Sequence, residues 1–195
     1  MKVVLATNNE GKLKEFRSLL APLALDLVGQ AELGIASVPE TGATFVENAL
    51  EKARHASAMS ECPALSDDSG LVVDCLQGQP GIHSARFAGN DATDEDNNNK
   101  LLALLGNGQT RSAHFYCALV FLRHAQDPAP VIATGQWHGS IVIEPKGNNG
   151  FGYDPLFLVS GLGITSAELD PEAKNRISHR AQAVQELCAK LTPLI

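Results

Sequence analysis

The first thirty residues constrain the fold more than any other stretch of the chain. Val3-Val4-Leu5-Ala6 is a short apolar run, which reads as a buried strand. A polar turn follows, Thr7-Asn8-Asn9-Glu10-Gly11, and then Leu13, Phe16, Leu19 and Leu20 recur at helical spacing. Leu23, Leu25 and Leu27 alternate, which predicts a half-buried second strand. Strand, turn, helix and strand in that order point to an α/β domain.

The rest of the chain keeps to that class. Thr44 and Glu47 form a capping box ahead of a helix whose apolar face is Phe45, Ala49, Leu50, Ala53 and Ala56. From Pro63 the pattern predicts a strand, Ala64-Leu65, an acidic turn, Ser66-Asp67-Asp68-Ser69-Gly70, and a second strand, Leu71-Val72-Val73. Residues 78–90 read as loop. A helix is expected over 93–105, with acids in its first turn and Gly106 as its stop. Residues 113–122 and 131–143 read as two long strands that form a hairpin around Asp127-Pro128. Gly147-Asn148-Asn149-Gly150-Phe151-Gly152 is the loop densest in glycine, 156–159 a further strand and 178–191 a closing amphipathic helix. The total is about six strands and four helices in a mixed α/β arrangement.

Composition narrows the functional classes. With 195 residues, 44% apolar and 19% charged, the chain can bury about 70% of its unfolded surface, so it needs no staples. The apolar run at the N-terminus is too short for the core of a signal peptide, and no run approaches the roughly 20 residues of a membrane span. Four cysteines, Cys62, Cys75, Cys117 and Cys188, have no metal or redox spacing and read as buried thiols in a reducing, cytoplasmic setting. A formal charge of −7 argues against nucleic-acid and membrane partners but leaves room for a small anionic substrate held by local cations.

Common catalytic motifs are absent. Gly11-Lys12 lacks the upstream glycine and the Ser or Thr of a Walker loop, Gly161-Leu162-Gly163 lacks the third glycine of a dinucleotide fingerprint, and Ser69 sits on no nucleophile elbow. His83, His114, His124 and His138 have no ligand spacing.

Four local features carry possible chemistry, each with two readings. Thr7-Asn8-Asn9-Glu10-Gly11-Lys12 is either an anion cradle at a helix N-terminus or a capped polar turn. Ser66-Asp67-Asp68-Ser69-Gly70 is either a divalent-cation site or a solvated turn. Two carboxylates about 4 Å apart repel by roughly 4 kcal/mol at an effective dielectric of 20, and a cation such as Mg²⁺ would remove that cost. Phe151-Gly152-Tyr153-Asp154-Pro155 is either a base-stacking platform or a turn whose aromatics plug the core. Lys174 with Ser178-His179-Arg180 is either a pair of cations that both reach one polyanion or a set of solvated basic residues.

Taken together, these segments resemble the inosine/xanthosine triphosphate pyrophosphatases (ITPases), which hydrolyse noncanonical purine nucleoside triphosphates. The resemblance runs through Leu5–Lys12, Glu40–Ala49, Ala53–Ala56, Asp67–Leu71, Pro80–Ile82, Ser84–Arg86, Asp91–Asp94, Gly150–Pro155 and Ile177–Arg180, in order, across nearly the whole chain. At Asn8 many relatives carry Gly; Asn tolerates positive φ, so the turn is expected to survive.

The resemblance implies one domain over residues 1–195, two-lobed and elongated around a central mixed sheet, with the active site in the cleft between the lobes. It also implies a cytoplasmic homodimer that uses Mg²⁺ and clears ITP, dITP and XTP to the monophosphate and pyrophosphate before polymerases incorporate them. Carried over by position, Thr7, Asn8, Asn9, Glu10, Gly11 and Lys12 would hold phosphates, with Asn9 and Lys12 as principal contacts. Lys52 and Lys174 would add positive charge. Glu40 and Asp68 would bind the metal, and Asp68 would also be the general base. Ser69 would touch the nucleotide, Phe151 would stack on the base, and Gly152, Tyr153 and Asp154 would shape the pocket. His179 and Arg180 would approach the purine 6-oxo group. The rival readings are a Maf-type nucleotide pyrophosphatase of other specificity and a non-catalytic nucleotide sensor on the same scaffold.

Overall fold

The computed structural model describes residues 1–23, 25–106 and 110–191. Six strands form one mixed sheet: β1 (Lys2–Leu5), β2 (Asp26–Gly29), β3 (Ala64–Val73), β4 (Ser112–Leu122), β5 (Val131–Ile141) and β6 (Phe157–Val159), in the order β2-β1-β3-β4-β5-β6. Strand β1 pairs in parallel with both β2 and β3, whereas β6 runs antiparallel to β5. Parallel neighbours need long crossovers, and α1 (Glu10–Leu19) and α2 (Phe45–Ser60) lie on the two that serve β1. The remaining α-helices among the described residues are α3 (Asp94–Leu105), α4 (Pro171–Ile177) and α5 (His179–Leu191).

The chain divides into two compact units. Unit 1 comprises residues 1–68, 117–135 and 180–195, and unit 2 comprises 69–116 and 136–179. In unit 1 the alternation of a strand sorts the core onto two faces. Val3, Leu5 and Leu65 pack with Phe16 of α1, with Leu20 just beyond its end, and with Val184, Leu187 and Leu191 of α5. Val4, Ala6 and Ala64 pack with Ala56 of α2. In unit 2, Leu71, Val73, Phe115, Trp137 and Phe157 pack with Leu101 and Leu105 of α3.

Several boundaries differ from expectation. Leu23 ends a 3₁₀ turn, Ala21–Leu23, and β2 starts only at Asp26, so the Leu23/Leu25/Leu27 alternation overstates the strand. Residues 81–86, expected as loop, form a 3₁₀ helix. The closing helix expected over 178–191 is α5, and a short helix that was not expected, α4, precedes it and ends at its C-cap, Ser178. The largest correction is at Ser66–Gly70. Instead of a turn, β3 runs unbroken from Ala64 to Val73, and Asp67 and Asp68 are buried within it. All four cysteines are free thiols, with Cys117 alone fully buried. No described helix is long and apolar enough to cross a membrane.

Candidate functional site

Placing two consecutive aspartates in a buried strand sends their side chains to opposite faces, and each face supplies a cation. Asp67 shares the α1 face with Leu65, and its Oδ2 accepts from Lys12 Nζ at 2.8 Å. Asp68 lies on the α2 face. Its Oδ2 accepts from Asn48 Nδ2 at 3.0 Å, and its Oδ1 is 3.5 Å from Lys52 Nζ. The expected repulsion between adjacent carboxylates is thereby relieved without a shared ion. The carboxylate that joins Asp68 is instead Glu40, whose Oε1 lies 2.8 Å from the same Lys52 Nζ.

Electrostatics separate the two aspartates. Burial alone would raise the Asp67 carboxyl, but Lys12, Arg180 and Lys52 outweigh it and bring the group down to about 2. Asp68 is raised above its ordinary value, chiefly by burial and further by the charge of Glu40, with Lys52, Asn48 and Lys12 only partly opposing. Burial acts to lower Lys52, yet Asp67, Asp68 and Glu40 together hold its ammonium above the usual value. Arg180 is buried and pairs with Glu15 Oε2 at 3.1 Å. Three cations in this part of unit 1, Lys12, Lys52 and Arg180, thus face four carboxylates, Glu15, Glu40, Asp67 and Asp68.

The Thr7–Lys12 segment is shorter as a loop than the sequence implies, because α1 begins at Glu10. Asn9 is its N-cap, with Oδ1 accepting from Lys12 N at 2.9 Å, so the Nδ2 donors are what Asn9 has to offer an anion. Thr7 Oγ1 accepts from Asn9 N. Glu10 and Gly11 are exposed on the first turn. Asn8 does not take positive φ, as Glu61 and Gln77 are the non-glycine residues that do among those described. Its carboxamide is used instead, bonding Ser37 Oγ at 2.7 Å and Gln30 Nε2 at 2.8 Å.

Unit 2 holds a further Lys–Asp pair, with both partners buried. Asp154 Oδ2 accepts from Lys174 Nζ at 2.5 Å and from Phe151 N at 2.9 Å, while Oδ1 accepts from Ser166 Oγ at 2.8 Å. Gly150, at φ +78°, lies so close to this carboxylate that an added Cβ would sit 2.0 Å from Oδ2, so only glycine fits. Phe151 is 42% exposed, with Lys174 Nζ 5.2 Å from its ring centroid. Gly152 is held at both backbone groups by α3, its N donating to Asp94 Oδ2 and its O accepting from Asn98 Nδ2.

The two readings of the aromatic segment therefore divide by residue. Phe151 presents a face, whereas Tyr153 is buried, and its hydroxyl donates to Ser84 O at 2.9 Å. Burial and the Asp94 charge push that phenol well above its ordinary value. His179 stacks on Phe115 at 4.9 Å in unit 2, whereas Arg180 belongs to unit 1. Lys174 and Arg180 are not solvated basic residues: both are buried, Lys174 against the buried Asp154 and Arg180 against Glu15. Ser69 follows Asp68 on β3.

The model of the Ham1 family matches residues 3–190 of the chain. The chain belongs to the Ham1 family. It is 55% identical over 186 residues to a dITP/XTP pyrophosphatase of Yersinia pseudotuberculosis, spanning 94% of each protein. A dITP/XTP pyrophosphatase of Escherichia coli O157:H7 is also 55% identical, over 188 residues and 95% of each. A Ham1 protein from Coxiella burnetii of solved structure superimposes with a TM-score of 0.93 at 46% identity, covering 99% of both chains.

Residues that sequence reasoning passed over are Glu15, Asn48, Gln30, Ser37 and Ser166. They are partners of the expected residues, and they come from distant segments. Lys12 and Asp67 are 55 positions apart, and Arg180 and Glu15 are 165 apart. No spacing rule signals such pairs. Asn48 alone carried a hint, as a polar residue beside Ala49 at the start of an otherwise apolar helix face.

Proposed function

We propose that this chain hydrolyses dITP, XTP and ITP to the nucleoside monophosphate and pyrophosphate; dITP and XTP are the substrates that stand in the names of its relatives. The observation that carries the mechanism is Asp68, a buried carboxylate raised by its surroundings and fixed by Asn48 beside Glu40 and Lys52. A buried carboxylate raised above its ordinary value is better suited to take a proton from water. Asp68 is the general base that deprotonates the water attacking the α-phosphorus. Lys12 and Lys52 balance charge on the phosphate oxygens, and most of the rate comes from that positioning and electrostatics. The Asn9 carboxamide and the first turn of α1 complete the phosphate contacts.

The donor set fits Mg²⁺. Among the described residues no group of three or more His, Cys, Asp or Glu is placed to hold a metal, but Mg²⁺ commonly takes one or two carboxylates plus substrate phosphates. A cluster with more carboxylates than cations also gives a triphosphate no welcome by itself. Glu40 and Asp68 would hold the ion, and Mg²⁺ supplies Lewis-acid charge to the phosphate oxygens when bound.

On the base side, Phe151 stacks on the purine, Lys174 and Ser69 contact the nucleotide, and Asp154 acts by holding Phe151 and Lys174 in place. Arg180, with His179, donates to the 6-oxo group of hypoxanthine or xanthine. Adenine presents an amino donor there, leaving a buried donor unpaired at a cost of about 1–3 kcal/mol. A cytoplasmic location, a homodimeric state and the absence of nucleic-acid and membrane partners belong to the same proposal.

The test is pyrophosphate release from ITP, XTP, dITP, ATP and GTP by the purified protein. Release from the first three well above that from ATP and GTP is expected. Equal rates on ATP and ITP would remove the purine-editing role, a preference for other nucleotides would favour a Maf-type enzyme, and no release at all would favour a sensor.

A further inference from the structure

Between Ile35 and Thr44 the chain has no regular secondary structure, yet it carries Glu40. Ordering such a segment costs about 1–2 kcal/mol per residue, so its tethers decide where Glu40 stands. Most run to α2. Ala36 O bonds His55 Nε2 at 2.9 Å, Thr41 Oγ1 donates to Glu51, Gly42 N donates to Asn48 Oδ1 at 2.8 Å, and Glu40 itself meets Lys52. The tether at Ser37 goes elsewhere, to Asn8 on the connection between β1 and α1.

That tether is a closed triangle. Asn8 Nδ2 donates to Ser37 Oγ at 2.7 Å, and Gln30 Nε2 donates to Asn8 Oδ1 at 2.8 Å and to Ser37 Oγ at 3.1 Å. Gln30 is 4% exposed and follows directly on β2, so the triangle is anchored to the sheet. All three residues belong to unit 1.

We propose that Asn8, Gln30 and Ser37 form a latch that sets the Thr7–Lys12 segment against the Glu40 segment, making Gln30 and Ser37 positioning residues for nucleotide binding. The assignment rests on the reading of the site given above. It gives Asn8 a role other than phosphate contact: its carboxamide is spent on the latch. Opening the latch leaves the chemical groups intact but lowers the fraction of molecules with both segments in register. Such a loss appears in apparent affinity rather than in turnover.

The experiment uses Ser37→Ala and Gln30→Met, with Ser37→Thr as the variant that keeps a hydroxyl. Two readouts are taken: steady-state pyrophosphate release from ITP, and amide hydrogen exchange over residues 35–41 and 7–9 in nucleotide-free protein. The latch predicts a KM raised about three- to tenfold with kcat held within about twofold, and faster exchange in both segments. It also predicts near-wild-type behaviour for Ser37→Thr and a Ser37→Ala/Gln30→Met double variant no worse than the poorer single. Unchanged exchange with unchanged KM would overturn it, as would single effects that multiply in the double variant, or a fall in kcat and thermal stability together. If the wild type releases no pyrophosphate from ITP, the functional reading fails, while exchange in the nucleotide-free protein still judges the latch by itself.

Discussion

Lys174 and Lys52 each sit against a buried aspartate, and their surroundings are opposite in kind. Lys174 in unit 2 meets one carboxylate, Asp154, whose two oxygens are otherwise taken by Ser166 Oγ and Phe151 N. That pair is balanced in charge and closed in hydrogen bonding. Lys52 in unit 1 lies between two carboxylates, Glu40 and Asp68, with Asp67 near enough to act on it as well. That group carries surplus negative charge in a setting where Asp68 is already raised by burial. The balanced pair fixes a loop, and the unbalanced group is the one to which the proposed function assigns a cation and a proton.

The contrast makes predictions, the largest first. Asp68→Asn lowers kcat on ITP by on the order of 10² to 10⁴, with little loss of thermal stability; unchanged turnover in the pyrophosphate assay would take Asp68 out of the chemistry. Asp154→Ala, by stranding Lys174, Ser166 and Phe151 N in a buried place, costs about 3–5 kcal/mol. Its melting temperature then falls by on the order of 10 °C, a fall that calorimetry would detect. A melting point held at the wild-type value would mean that the unit 2 pair is not the structural one.

Lys12→Met tests the depressed Asp67. A carboxyl held near 2 in the folded state contributes stability that is complete above its ordinary value near 4. That contribution is lost as pH falls through about 2. The wild type should therefore exceed the variant in denaturant midpoint at neutral pH, and the gap should close on acidification from about 4 toward 2. A gap independent of pH would assign the loss to packing. Smallest of all, Glu40→Gln changes stability by less than about 1 kcal/mol in either direction, since removing a surplus charge relieves repulsion as well as an ion pair. A large destabilisation there would make the two regions alike and break the comparison.

Much of this was legible in the sequence where local rules govern. The Val3–Ala6 strand, the Thr44 cap and the helix expected over 93–105 all appear close to where pattern and capping chemistry place them. Short α4 has no counterpart in the sequence reading, because a seven-residue helix is too brief for its periodicity to register. Asp67 and Asp68 were misread as a turn because carboxylates enter a buried strand only when partners meet them, and Lys12 and Lys52 come from two different helices. Glu40, Asp68 and Lys52 were legible through family resemblance, whereas the charge surplus they form became visible only in three dimensions.

The direct test of that surplus is the affinity of the wild type and Glu40→Gln for an inosine triphosphate analogue that cannot be cleaved between the α- and β-phosphates, measured by calorimetry with Mg²⁺ and with chelator. The account predicts that Mg²⁺ tightens binding to the wild type by on the order of tenfold or more and that most of this gain disappears in Glu40→Gln. Equal affinity with and without Mg²⁺, or an undiminished gain in the variant, would contradict it.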